Sequence, residues 1–151
     1  MIDSPLDARN ETWDRLLAFF AATDWATLIG YSAVTTYFEG RELPSAPPAN
    51  VPHIKAFIKH MDGGNDSLTN DQGKHKYESD AILMIQCFGP TSRGDGLEVA
   101  IKVATICRNA FQGYSTPSCV WFRRCRIQEE KPDGNWDQCN TYCTLTYDEV
   151  H

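Results

Sequence analysis

"KYESDAILMIQCFGPTSRGDGLEVAIKVATICRNAF", residues 76–111, changes rhythm halfway. Its first part alternates with a period of two, which predicts a strand from about Lys76 to Phe88. Gly89-Pro90 breaks that pattern, because proline cannot donate to a sheet ladder and the glycine lowers the cost of a bend. From Gly96 the apolar residues recur at helical spacing. A helix is expected from about Asp95 to Gln112, with Leu97, Ile101, Ala104, Ile106 or Cys107, and Phe111 facing inward, and with Gly113 just past its end. Neither piece contains a nucleophile with its base, a ligand cluster or a phosphate-binding loop.

Working upstream, Val51 starts a second period-two stretch, in which Ile54, Ala56 and Ile58 alternate with Lys55, Phe57 and Lys59. The two strands form a long hairpin whose tip is the polar, glycine-rich "MDGGNDSLTNDQGK" (61–74). That tip is longer than folding requires, a property of functional loops. Before it, "RELPSAPPANVP" holds four of the eight prolines and reads as an extended surface connection. "TDWATLIGYSAVTTYF" suggests a short helical turn, capped by Thr23 or Asp24 and ending at Gly30, then a strand in "AVTTYF". At the start, Ser4 as cap and Pro5 at the first helical position predict a helix from Pro5 to Ala21, with Leu6, Trp13, Leu16, Leu17 and Phe20 on its core face.

Downstream, "SCVWFRRCRIQEE" and "NWDQCNTYCTLTYDE" flank "KPDGN", whose Asp-Gly is a strong hairpin signal. A three-residue loop, Asp133 to Asn135, sets Cys125 opposite Cys143 and Ile127 opposite Thr141; a two-residue loop sets Cys125 opposite Tyr142 and mixes the faces. The three-residue loop is therefore preferred. The expected architecture is α+β: a mainly antiparallel sheet of four or more strands with a long hairpin, and helices packed on one face.

The bulk numbers narrow the function. With 151 residues, 42% of them hydrophobic, the chain fits one globular domain. A net charge of −6 argues against wrapping nucleic acid, which needs an excess of Lys and Arg. "MIDSPLDARNETW" lacks the basic and apolar regions of a signal peptide, so the chain is expected to stay unsecreted, with its six cysteines reduced and buried. No stretch approaches the roughly 18 apolar residues of a membrane span, so no membrane partner is expected.

Candidate chemistry is sparse. Cys139 and Cys143 of "CNTYC" point the same way on a strand but lie about 13 Å apart along it, too far to share one ion. His60 and His75 are expected to face each other across the hairpin, away from any thiol. Catalysis, metal binding and a bound cofactor are not expected; a small thiol-dependent or metal-dependent enzyme is the remote alternative. "RRCR" (123–126) places Arg124 and Arg126 on one face of its strand and Arg123 on the other, either solvated and paired with Glu129, Glu130 or Asp137, or meeting DNA or a neighbouring subunit. Outward positions of the last strand, Gln138, Asn140, Tyr142, Thr144 and Thr146, form a hydroxyl-rich and amide-rich ribbon able to meet another chain. Trp121, Phe122 and Trp136 exceed what one small sheet must bury. The balance favours assembly.

The order of elements, the strand closing in "CFGP" (87–90), the glycine turn into "GDGLEVAIKVATICRNAF" (94–111) and the final pair bending at "DG.W" (133–136) together resemble the tail terminator, or tail completion, proteins of long-tailed bacteriophages. The resemblance covers about residues 50–148, and the first 50 only in outline. It implies a homo-oligomer, a ring of six copies in the virion neck, seated on the tail tube protein and joined to a head-tail connector or stopper protein, with DNA only as passing cargo. It also implies that the hairpin tip contacts the tube or a neighbouring subunit through Asp62, Asn65, Asp66, Leu68, Lys74, His75, Lys76 and Glu78, and that the strand around Lys76 to Ser79 is an edge between subunits. Arg123, Arg124 and Arg126 become bore or interface charges, with masking acids expected nearby if they face the bore. A connector of the same neck is the alternative.

Overall fold

The structure, a computed structural model, describes residues 4–41, 50–60, 64–71 and 74–150, and the side chains of these except 64–71, 74–77, 149 and 150. Helix α1, Pro5–Ala21, begins as the sequence predicts: the Ser4 hydroxyl accepts from the Asp7 amide and Pro5 follows it. Trp13, Leu16 and Phe20 are buried with Ala8 and Thr12, but Leu6 is 58% and Leu17 38% exposed. The buried stripe is therefore narrower than the apolar one. Helix α2, Trp25–Ile29, is capped by the Asp24 side chain and stopped by Gly30 at φ 77°.

Six strands form the sheet: β1 Thr35–Phe38, β2 His53–His60, β3 Gly64–Asp71, β4 Lys74–Pro90, β5 Trp121–Asp133 and β6 Trp136–Val150. Five of them lie in the order β1-β2-β4-β6-β5, and β3 pairs β4 off that path. Only β1 with β2 is parallel among the described pairs. With the helices packed on one side of this sheet, the chain is α+β. The segment expected as a polar tip contains β3, which carries the line of β2 along β4 beyond the last β2 pair, His60↔Ala81. Residues 42–49, most of the proline-rich connection, lie outside the described residues.

Helix α3, Gly96–Phe111, packs on β4, β6 and β5. Its buried face is Val99, Ala100, Val103, Ala104, Cys107, Ala110 and Phe111, while Leu97 is 43% exposed and Ile101 and Ile106 are only half-buried. Ala104, Cys107 and Phe111 face inward as expected, whereas Leu97 and Ile101 do not: three alanines let the helix lie close to the sheet, and Leu97, Ile101 and Ile106 sit at its margin. The entry to α3 is equally tight. A Cβ at Gly89 would collide with the Gly96 carbonyl oxygen, and one at Gly96 would lie 2.9 Å from the carbonyl oxygens of Gly89 and Pro90. Both positions accept glycine alone without movement.

The last hairpin mixes a correct register with an incorrect loop. Asp133 pairs with Trp136, so the connection is the two residues Gly134-Asn135, with Gly134 at φ 61°. Ile127 nevertheless opposes Thr141, as the three-residue loop required, because an irregularity between Glu130 and Asp133 absorbs the difference. A second irregularity, between Arg123 and Arg126, holds Arg124 at φ 54°. That bulge corrects the reading of "RRCR": Arg123 and Arg126 share the outward face, where Arg123 bonds Thr146 and Arg126 lies over Tyr142.

Candidate functional site

All three helices contribute to the core on the inner face of the sheet. The outer face is built by the alternate residues. Three rows cross it in register: Lys55, Gln86, Asn140 and Gln128; Phe57, Met84, Tyr142 and Arg126; Lys59, Ile82, Thr144 and Arg123. Lysines stand on the β2 side, arginines on the β5 side, and the twelve positions include no carboxylate. Ile82 is 38% exposed, and Trp121, in the adjoining row opposite Thr146, is 42% exposed.

Hydrogen bonds fix much of this face. The Arg123 guanidinium donates to the Thr146 hydroxyl at 2.8 Å, and that hydroxyl donates to the Asp80 carboxylate at 2.7 Å. The chain ends on an acid one hydroxyl away from the arginine, and that acid is Asp80 rather than the Glu129, Glu130 or Asp137 expected to pair with it. Nearby, Gln138 donates to Asn140 at 2.9 Å, Asn140 to Tyr142 at 3.1 Å, and the Tyr142 hydroxyl to Glu130 at 3.4 Å. The β6 ribbon expected to await a partner is thus partly satisfied within the sheet, with Asn140 and Thr146 buried. A cleft of about 420 Å³ opens beside it, lined by Glu78, Gly113, Tyr114, Ser115, Trp121, Phe122, Arg123 and Thr146. Of the aromatic surplus, Phe122 is buried against Phe111 and only Trp121 is strongly exposed.

At the other end, His53 is buried among aromatic rings: it stacks on Phe88 and meets Tyr37 and Trp136 edge-on. Burial, with the Lys55 charge adding to it, lowers this imidazole to about 4.

The cysteines lie elsewhere. Cys87, Cys107, Cys139 and Cys143 are buried, Cys125 is half-buried and Cys119 exposed, all as free thiols. Cys87 and Cys107 have their sulfurs 4.0 Å apart. Burial raises Cys87, and it pushes Cys139 up to about 11. Cys125 is lowered by its hydrogen bond with Cys143, with Arg108 helping against burial, while the same bond and burial raise Cys143. Among the described residues, no group of three or more His, Cys, Asp and Glu is arranged to hold a metal ion.

Of the residues expected to make contacts, Asp62 lies outside the described residues. Asn65, Asp66 and Leu68 fall in β3, and Lys74, His75 and Lys76 begin β4. Glu78 is exposed and lines the cleft together with Arg123. The stretch from Lys76 is not a sheet edge: Lys76 pairs with Ser67 and Val150, and Glu78 with Gly64 and Asp148. His60 pairs with Ala81, not His75, and its ring meets Tyr147. Sequence reasoning missed the cation rows on the outer face, because they appear only once the register is known; the alternation of Lys55 and Lys59 was their one visible trace.

No protein-family model matches the chain, and no curated protein matches it. A solved structure with 18% sequence identity aligns over 92% of this chain and 95% of its own, with a TM-score of 0.48. Among the described residues, no helix is long and apolar enough to cross a membrane.

Proposed function

We propose that this chain is a structural virion protein, a tail terminator that assembles into a ring of six copies at the neck, caps the tail tube and joins it to the head-tail connector while DNA passes through. Its work in this reading is to present surfaces rather than to turn over a substrate. The observation that supports it most is the one-sided packing: the helices bury the inner face of a long sheet, and the outer face keeps charged rows, an exposed Ile82 and an exposed Trp121. Exposed apolar residues rimmed by polar ones are a feature of protein contact surfaces. The net charge of −6 suits a conduit that must not retain its cargo.

The test is subunit counting on the purified full chain, by native mass spectrometry and negative-stain imaging, alone and with isolated tail tubes. Six-fold rings are expected. Twelve-fold particles would shift the assignment to the connector of the same neck, and a strict monomer without affinity for tubes would remove the proposal.

A further inference from the structure

We infer that the outer sheet face of one copy receives the solvent side of helix α1 from the next copy; this deepens, and rests on, the ring reading above. The receiving face has Lys55 and Lys59 on one side, Arg123 and Arg126 on the other, and Met84, Ile82 and Tyr142 between them. The two cation rows are three strand spacings apart, roughly 14 Å. That gap matches the diameter of an α-helix with its side chains, about 10–12 Å.

Helix α1 has the complementary surface. Its solvent side carries Leu6 and Leu17, both exposed, beside the exposed carboxylates Asp7 and Asp14. Its own cations are turned away from that side. Arg9 donates to the Ile58 carbonyl and pairs with Glu39 at 2.9 Å, and Arg15 donates to the Ala110 carbonyl while lying 3.8 Å above the Tyr114 ring. Asp14 holds the Arg41 cation at 2.9 Å, whereas the Asp7 carboxylate accepts from the neutral Ser4 hydroxyl at 3.0 Å, so the Asp7 charge is the less neutralised of the two. An apolar stripe with anions therefore meets an apolar strip with cations.

The two surfaces lie on opposite sides of the molecule, since α1 packs on the helical side of the sheet. Contact between them is head-to-tail, the arrangement that closes into a ring when the rotation allows. It also explains why this face keeps positive rows on a chain of net charge −6.

The experiment uses the full chain and two measurements. In the first, Lys59→Glu and Asp7→Lys are compared singly and together by native mass spectrometry, with thermal unfolding as the check on folding. Each single change should weaken assembly about tenfold, and the double change should restore it. In the second, a benzophenone side chain replaces Ile82, and irradiation of assembled wild-type-like rings should cross-link it to residues 5–18 of a neighbour. Rings that form normally in both single variants, or cross-links that map elsewhere, whether to another segment, to tube protein or to DNA, overturn the α1 contact and leave the ring reading standing. A wild-type chain that stays monomeric at high concentration and shows no affinity for tail tubes overturns both.

Discussion

His53 lies flat on Phe88, with ring centroids 4.6 Å apart and an interplanar angle of 11°, and is only 2% exposed. Its imidazole is held neutral there, at about 4 against an ordinary 6.5. The unfolded chain therefore binds a proton that the folded chain refuses between those values. The stabilisation is complete above pH 6.5 and is lost as pH falls from 6.5 toward 4, by up to about 3 kcal/mol. Urea unfolding at pH 7 and pH 4.5 measures it, and His53→Phe, which keeps the stack but cannot titrate, should flatten the slope by that amount.

Gly89 and Gly96 set how closely the end of β4 meets the start of α3. Gly89→Ala drives a methyl into backbone, which cannot rotate away, and should cost about 2–3 kcal/mol. Gly94, at φ 78° with open space around it, is the control. Gly94→Ala pays only for its backbone conformation, about 1 kcal/mol. Denaturant midpoints of the two variants should differ in that order.

The bulge at Arg124 is a backbone feature, tested by residues that dislike or tolerate positive φ. Arg124→Val should destabilise by about 1–2 kcal/mol, and Arg124→Gly should be neutral or stabilise by about 0.5 kcal/mol. If charge alone mattered at this position, the two would behave alike. Thermal unfolding of both decides the point.

Thiol reactivity should follow burial. Cys119 should be labelled by a maleimide first and Cys125, half-buried and lowered by Cys143, second; Cys87, Cys107, Cys139 and Cys143 should wait for opening of the core. Peptide mapping after timed labelling gives the order. Early modification at Cys87 or Cys107 would contradict the packing of α3 on β4.

Much of the architecture is legible in local chemistry. Ser4-Pro5 fixes the start of α1, Asp24 and Gly30 bracket α2, and the Gly89-Pro90 break with the glycine turn separates β4 from α3. The faces of α1 and α3 were harder to read, because periodicity weights a large residue such as Leu97 above an alanine, whereas close packing on a sheet selects Ala100 and Ala104. Strand β3 gives no alternation to read in "GNDSLTND". The β5–β6 register was recoverable from the inward residues alone, but its bulges were not, since nothing in "RRCR" or "EEKPD" announces which residue is extra. Glu78 and Arg123 were each visible as charged residues, and only the fold shows that they border one cleft.

Strand β4 is paired on one flank with β2 over Ala81–Phe88 and with β3 at Glu78, Tyr77, Lys76 and Lys74, and on the other with β6 from Pro90 as far as Lys76↔Val150. A tensile load applied to its two ends would meet those bonds in shear, many at once, rather than peel them off singly. The strand would act as a tie-rod through the molecule, carrying strain from the overhanging end to the helix-backed core without local melting.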